Sequence, residues 1–351
     1  MLGILLLEKK MKKDSIIELE MGGGGEKSSQ LIAQIRKNFT VKSKWKNSAD
    51  DGAVFDLGIN NVETPRQGVS TASDKLVFTT DAFIVDPIFF AGGDIGKIAM
   101  CGTINDLCVM GAQPIGIGLS VVIEEGFPVD DLEKIMQSIG KISQETGVPI
   151  VTGDTKVTEK GKLDKIEITT SGVGLAKIII NNGGAKVGDA VIASGNLGEH
   201  AVALLASRFN YKTKIQSDCQ PLIKEIQNVS PYLTSCKDPT RGGMAAVLNE
   251  IAEKSKVKIV LEEELLPFAK ETVALSGLLG IDKFSFPSEG RFVATVPEKQ
   301  AKKVIKMLQK FNPEAKIIGH VERGRGVHLQ TSLGSSKKIE VPRGKLIPRI
   351  C

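Results

Sequence analysis

Aromatic side chains are scarce in this chain, at 5% of 351 residues with one tryptophan. Nucleic-acid binders stack bases on aromatic rings along a basic stripe. Here rings are few, the net charge is +5, and the lysines are spread out, so no nucleic-acid partner is expected. Cysteine is also scarce: five residues, an odd number, with no C-x-x-C pair. That excludes a disulfide framework and a zinc site of the usual spacing, and makes a reduced cytosolic compartment the default. No stretch approaches the ~20 apolar residues of a membrane span, so no membrane partner is expected. The apolar start, Leu2 to Leu7, is too short for a secretory signal, and its charges (Lys9, Lys10, Lys12, Lys13) follow the run. No low-complexity tract or tandem repeat is present.

What is there is ordinary globular composition, 41% hydrophobic and 25% charged, in a length that suggests two domains. The predicted organisation is an extension over 1–20, a first domain over 21–180, a second over 186–338, and a tail over 341–351. Within the first domain, Gly22–Gly25 is a glycine run before a helix through Leu31, Ile32, Ile35 and Phe39. Such a run exposes backbone N–H groups and can either flap over phosphates or serve as a plain linker. It lacks the G-K-[ST] ending of a P-loop.

Strands and helices then alternate. Leu76–Thr80 reads as a strand and Gly93–Met110 as a buried helix. Ile115–Ile123 reads as a strand and Asp130–Thr146 as an amphipathic helix capped by Asp130 or Asp131 and stopped by Gly147. Pro149–Thr152 and Ile166–Ala176 are further strands. Asn181–Ala185 marks a boundary. Beyond it come strands near 190–194, 257–262, 291–296, 316–321 and 326–331, and helices near 198–209, 220–230, 242–254 and 298–310. The fold class is α/β.

Acidic residues gather at the ends of these elements: Asp50 and Asp51 before a strand, Asp81 after Thr80, Asn105-Asp106 inside the buried helix, and Asp154 in Gly153-Asp154-Thr155-Lys156. A carboxylate inside an apolar helix is expensive unless a cation meets it. Carboxylates that converge imply a hard divalent cation, and magnesium brings nucleotide phosphates with it. In the second domain, Ser194–Gly198 is a candidate anion-binding turn, or simply a strand–helix connection. In Asp238-Pro239-Thr240-Arg241-Gly242-Gly243, Pro239 holds Asp238 extended. Thr240 or Asp238 can cap the helix that follows, and Arg241 stands where a phosphate or carboxylate could sit. Glu289 sits in a turn after Ser288. His200 and His328 have no sequence partners and read as structural. The chain ends in a thiol, Cys351, on a tail with two prolines. A thiol on such a leash can enter a pocket, react and leave, or the tail is simply a frayed end that finishes in cysteine.

Taken in order, Asp50-Asp51-Gly52-Ala53, Thr80-Asp81, Asn105-Asp106-Leu107, Gly153-Asp154-Thr155 and Asp238–Gly243 resemble the ATP-binding superfamily of aminoimidazole ribonucleotide synthetase, over about residues 19–351. Selenophosphate synthetase, thiamine-monophosphate kinase and the HypE family of hydrogenase maturation proteins are members. Pro348-Arg349-Ile350-Cys351 is similar to the C-terminal signature of the HypE family. The resemblance implies a two-domain PurM-like fold whose first domain contributes to a β-barrel across a homodimer, with ATP and Mg2+ bound near that interface. It implies partners: the carbamoyltransferase HypF, which loads a carbamoyl group on the terminal cysteine, and the HypC–HypD iron scaffold, which receives cyanide for a [NiFe] hydrogenase. It also implies the reaction between, ATP-dependent dehydration of the thiocarboxamide to a thiocyanate. The residues so implied are Asp51, Asp81, Asp106 and Asp154 for metal and phosphate, with Gly23, Gly24, Gly25, Asn105, Gly153, Thr155 and Arg241 around the nucleotide. Cys351 is the carrier, and Lys156 and Glu289 handle protons. The chain departs from the family at Met21 and Ser288, which replace the usual His and Asn, and at Ala201, which replaces Gly. Another synthetase of the superfamily, or a scaffold that docks partners through its tail without turnover, are the alternatives.

Overall fold

The computed structural model describes residues 16–23, 25–38, 44–47, 50–58, 75–342, 347 and 349–351. Residues 1–15 of the extension, Gly24 of the glycine run, and 343–346 and 348 of the tail lie outside the described residues. The first half runs α1 (Glu26–Arg36), β1 (Ala53–Asp56), β2 (Lys75–Phe83), β3 (Phe89–Phe90), β4 (Gly93–Asp94), α2 (Ile95–Val109), β5 (Gln113–Glu124), α3 (Val129–Thr146), β6 (Ile150–Thr158) and β7 (Ile166–Ala176). The second runs β8 (Asp189–Ala193), α4 (Glu199–Phe209), α5 (Ile223–Val229), β9 (Ser235–Lys237), α6 (Gly243–Ser255), β10 (Lys258–Glu262), α7 (Lys270–Leu279), β11 (Val293–Pro297), α8 (Glu298–Leu308), β12 (Lys316–Glu322), β13 (Gly326–Gln330) and β14 (Ser336–Ile339). The α/β class expected from the sequence is what the chain adopts.

Two mixed sheets result. The first has the order β1-β2-β7-β5-β6, with only β5 and β6 parallel. The second has the order β14-β13-β10-β12-β8-β11-β9. Every second residue of β7, from Ile166 to Ala176, is buried, the period of a strand with one face on a core. All of β8 is buried, as befits a central strand covered on both faces.

Two strands run further than the local sequence signalled. β2 continues to Phe83, so Asp81 lies inside it, opposite Thr170 of β7. β6 continues through Gly153–Lys156 to Thr158 because β5 offers a partner at every step, Leu119 for Gly153 and Val122 for Lys156. Gly153 belongs there sterically: a Cβ at that position would stand 2.7 Å from the Leu119 carbonyl oxygen. The three-residue β9 and four-residue β14 are too short to show a period in sequence. Two expected caps are also corrected. α3 begins after Pro128, whose fixed φ suits a helix entry, and neither Asp130 nor Asp131 caps it. Gly147, with φ +70°, ends it as expected.

The helix α2 is the structural axis. Asp94 caps it, its carboxylate accepting from the N–H groups of Gly96 (2.8 Å) and Lys97 (3.1 Å). Apart from Lys97 and Asp106, every residue of the helix is buried. It is covered by β2, β7 and α3 of its own half and by α5 and β9 of the other. Asn105 joins the halves. Its amide nitrogen donates to the carbonyls of Gln220 and Glu289, both at 3.0 Å, and its oxygen accepts from Leu222 N–H at 2.8 Å. Asn105→Ala would strand two carbonyls and one N–H in a dry contact. We expect a loss of about 2–3 kcal/mol of stability, read as a lower denaturation midpoint, with impaired registration of the two halves.

Candidate active site

Beside α2 the carboxylates converge. One oxygen each from Asp51, Asp106 and Asp238 lies within 4.8 Å of the others. Asp51 comes from the turn before β1, Asp106 from α2, and Asp238 from the segment after β9. Asp81, on β2, adjoins Asp106. Thr79 donates to Asp106 at 2.8 Å, and Thr103 donates to Asp81 at 3.3 Å.

Burial pushes the Asp106 carboxyl well above the ordinary range, reinforced by Asp81, Asp238 and Asp51. Burial and then the Asp51 charge push Asp238 up to about 7. Asp81 is raised by burial, with Arg241 opposing. Asp51 is raised by burial, although Lys237 is ion-paired to it. The second Asp51 oxygen is buried without a hydrogen-bond partner. Like charges held this close and this dry are unfavourable until a cation joins them. The orphaned oxygen, the shared repulsion and the all-oxygen donor set fit a divalent metal of the magnesium type. A lysine network from the second half frames the cluster: Lys237 also meets Glu250 at 3.5 Å, and Lys254 bridges Asp50 and Glu250 at 2.6 Å each.

The chain's last residue lies against the same site. Cys351 is half-buried, and its thiol pairs with the Glu289 carboxyl. Burial and the Glu289 charge push the thiol well above its ordinary value. Glu289 is buried, is itself raised by burial and by Asp238 and Asp218, and keeps one oxygen, Oε1, free of partners. Its backbone is tightly fixed: Glu289 N–H donates to Asp218 Oδ1 at 2.8 Å, and its carbonyl accepts from Asn105. The next residue must be glycine, because a Cβ on Gly290 would stand 2.0 Å from the Asp218 carbonyl oxygen. Ser288 is buried beside it, and its hydroxyl accepts the Gly198 N–H at 2.8 Å. Arg241 faces Cys351, Asp81, Glu289 and Asp106, whose charges hold the guanidinium firmly protonated.

The structure therefore brings together Asp51, Asp81, Asp106, Arg241, Glu289 and Cys351. It uses Asn105 differently from the expectation of a nucleotide contact, since its amide is taken up by the other half of the chain. Asp154, Thr155 and Lys156 are exposed on β6, an edge strand, and Asp154 is not among the three converging carboxylates. Gly23 lies in a turn and Gly25 enters α1 in extended conformation. Asp238 was expected at most to cap a helix. Neither it nor Thr240 does so, because Gly242 itself, with φ +83°, is the entry residue of α6. Pro239 keeps Asp238 extended, which leaves its side chain free for the cluster.

Residues 49–176 match the family described as AIR synthase related protein, N-terminal domain, and residues 186–332 match the corresponding C-terminal domain. The chain is 38% identical to the carbamoyl dehydratase HypE of Rhizobium leguminosarum bv. viciae, covering 95% of each. It is similar to a solved HypE–HypF complex (36% identity, TM-score 0.79, 89% of this chain and 99% of that one). It is also similar to a HypE structure in complex with ATP (30% identity, TM-score 0.76, 96% and 100%).

The cluster predicts an unusual pH response in chelator. Asp238 titrates near 3.8 when unfolded and at about 7 when folded. The folded state thus holds the extra proton, and stability falls as pH rises through that window. Thermal midpoints in EDTA should decline from pH 4 to pH 7 on this account. Asp238→Asn should flatten the decline, and magnesium should offset it.

Proposed function

This chain belongs to the AIR synthase related protein family and, within it, to the HypE group of hydrogenase maturation proteins, and from that membership we propose how its own residues carry out the work. It is an ATP-dependent carbamoyl dehydratase. The cargo is a carbamoyl group on the sulfur of Cys351, and the product is a thiocyanate on the same sulfur. The thiocyanate supplies the cyanide ligand for the iron of a [NiFe] hydrogenase. The observation that carries this reading is the docking of the terminal thiol against Glu289 and Arg241, beside the aspartate cluster.

The chemistry follows from the leaving group. An amide oxygen leaves poorly; once it takes the γ-phosphoryl group of ATP it leaves as phosphate. The C–O bond breaks, both nitrogen-bound protons depart, and C≡N forms. Asp51, Asp81, Asp106 and Asp238 are placed to hold Mg2+, which when bound would neutralise them and draw in the nucleotide phosphates. Arg241 orients the transferring group by its charge. Glu289, whose surroundings make it a stronger base than an ordinary carboxylate, takes a proton from the nitrogen that replaces the thiol as its neighbour. The tail brings the sulfur to this point and excludes water with Ile347 and Ile350, both buried. The glycines from Gly22 to Gly25 are suited to cover the phosphates.

Lys156 and Asp154 act across a homodimer in this proposal. On β6 their side chains alternate onto one face and those of Val151 and Val157 onto the other. Both valines are largely exposed, at 63% and 70%, and among the described residues β6 is a sheet edge. A second copy closing this edge into a barrel would cover the valine face, which Thr155 shares, and present Asp154 and Lys156 to a site. HypF as the loading partner and HypC–HypD as the receiver complete the proposed cycle. Among the described residues no helix is long and apolar enough to cross a membrane. All five cysteines are free, and the compartment in this proposal is the reducing cytoplasm.

Intact mass measurement tests the reading. After incubation with HypF and carbamoyl phosphate the C-terminal peptide should carry a carbamoyl adduct, and ATP should then remove one water from it. Glu289→Gln should accept the adduct but dehydrate it about 100-fold more slowly or worse. A Cys351→Ala variant that still matures hydrogenase would rule the reading out, and ATP binding without turnover of the loaded form would favour a scaffold.

A further inference from the structure

The docked tail is held by two side chains that the chemistry above does not use. His200, on α4, is completely buried. Its Nε2 lies 2.8 Å from the Ile350 carbonyl oxygen and its Nδ1 lies 2.8 Å from the Ser217 hydroxyl. A carbonyl only accepts, so Nε2 carries the proton and donates, and Nδ1 accepts a hydrogen bond from the Ser217 hydroxyl. Ser217 is oriented in turn by the Cys219 N–H at 3.1 Å. The Phe90 ring meets the imidazole edge-on at a centroid distance of 5.3 Å. Burial holds the His200 pKa down to about 4, so the neutral ring is the form in place.

About two turns of helix further on, Arg208 grips the residue before. Its Nη2 donates to the Arg349 carbonyl at 2.9 Å and its Nε to the Asp86 carbonyl at 2.8 Å. Asp86 N–H donates to the same Arg349 carbonyl at 3.1 Å. The Arg349 side chain turns the other way, to Asp164 at 2.5 Å. The carbonyls of the last two residues before Cys351 are therefore both captured, by donors that read backbone.

We propose that His200 and Arg208 are positioning residues that clamp the tail backbone and so decide how long Cys351 is docked in the site and how long it is exposed to loading and delivery partners. A clamp on carbonyls is indifferent to what the sulfur carries. It can seat the free, carbamoylated and cyanated tail alike and leaves the Cys351 side chain to Glu289 and Arg241. It also has a protective side. A half-buried thiol docked beside a carboxyl is a poor nucleophile, so alkylation and carbamoyl loading are both favoured by release. The consequence for the reaction cycle rests on Cys351 being the carrier. The clamp itself does not, and its test needs no turnover.

The test is thiol accessibility in the full-length protein. Iodoacetamide alkylation of Cys351 is followed by peptide mass, with Cys101, Cys108, Cys219 and Cys236, all buried, as internal reporters of unfolding. When docking is fast, the rate tracks the undocked population. His200→Ala and Arg208→Ala should each raise Cys351 alkylation about tenfold, the worth of one lost hydrogen bond, without raising it at the other four. His200→Gln, which keeps a donor at the Nε position, should restore part of the protection. His200→Ala empties a core position, so if it unfolds, Arg208→Ala, half-buried at the surface, decides alone. An unchanged Cys351 rate in Arg208→Ala, or a rise shared by all five cysteines, would overturn the clamp. Its failure would leave the dehydratase reading intact, and a working clamp on a chain that never dehydrates its cargo would sink that reading alone.

Discussion

Three carboxylates packed together beneath a nearly dry helix set the terms for this molecule. Asp51, Asp106 and Asp238 come from three separate segments and two halves of the chain, and their oxygens meet within a few ångströms. An uncompensated cluster of this kind works against folding. It is held because the surroundings over-determine it. Asn105, one residue from Asp106, is bonded to the backbone of the second half, and Lys237 and Lys254 pin the Asp50–Asp51 turn from the same side. Strain of this sort is commonly found at functional sites.

The same junction of halves makes room for the tail. Glu289 is fixed through its backbone by Asn105 and Asp218, so the carboxyl that meets Cys351 is aligned by the contact that joins the halves. The end of the chain then packs as part of the core: Ile347 and Ile350 are as buried as residues of a strand. The anchoring is made largely to carbonyl groups. A segment held in this way can be released as a unit, since undocking gives up a few hydrogen bonds and two aliphatic side chains rather than a woven element.

Much of the architecture was legible in the sequence. The α3 stripe of Leu132, Ile135, Met136, Ile139 and Ile142, its stop at Gly147, and the alternation of β7 follow from period and turn chemistry alone. So did the candidacy of Asp51, Asp81, Asp106, Glu289 and Cys351, through short motifs that share an order along the chain. Boundaries were less legible. β2 and β6 run past their apparent ends because a neighbouring strand supplies hydrogen bonds that propensity cannot foresee. Asp238 was visible as a residue before proline, a candidate cap and part of a family motif, but not as a member of the acid cluster. His200 had no partner within reach along the chain, because its partners are Ser217 and the next-to-last residue.

The sequence by itself determined the α/β class, the family and the chemical parts: clustered acids, a glutamate in a turn, and a thiol at the end of the chain. Each of these is a local property, a period, a spacing or a residue type. Only the tertiary structure decided which acids share one volume, that Asn105 joins the halves, and that backbone carbonyls of the tail are the handle by which it is held. Those outcomes depend on distances between segments 100 or more residues apart, as with Asn105 and Glu289 or His200 and Ile350. Such distances are fixed by the packing of the two sheets around α2, which no single stretch of chain encodes.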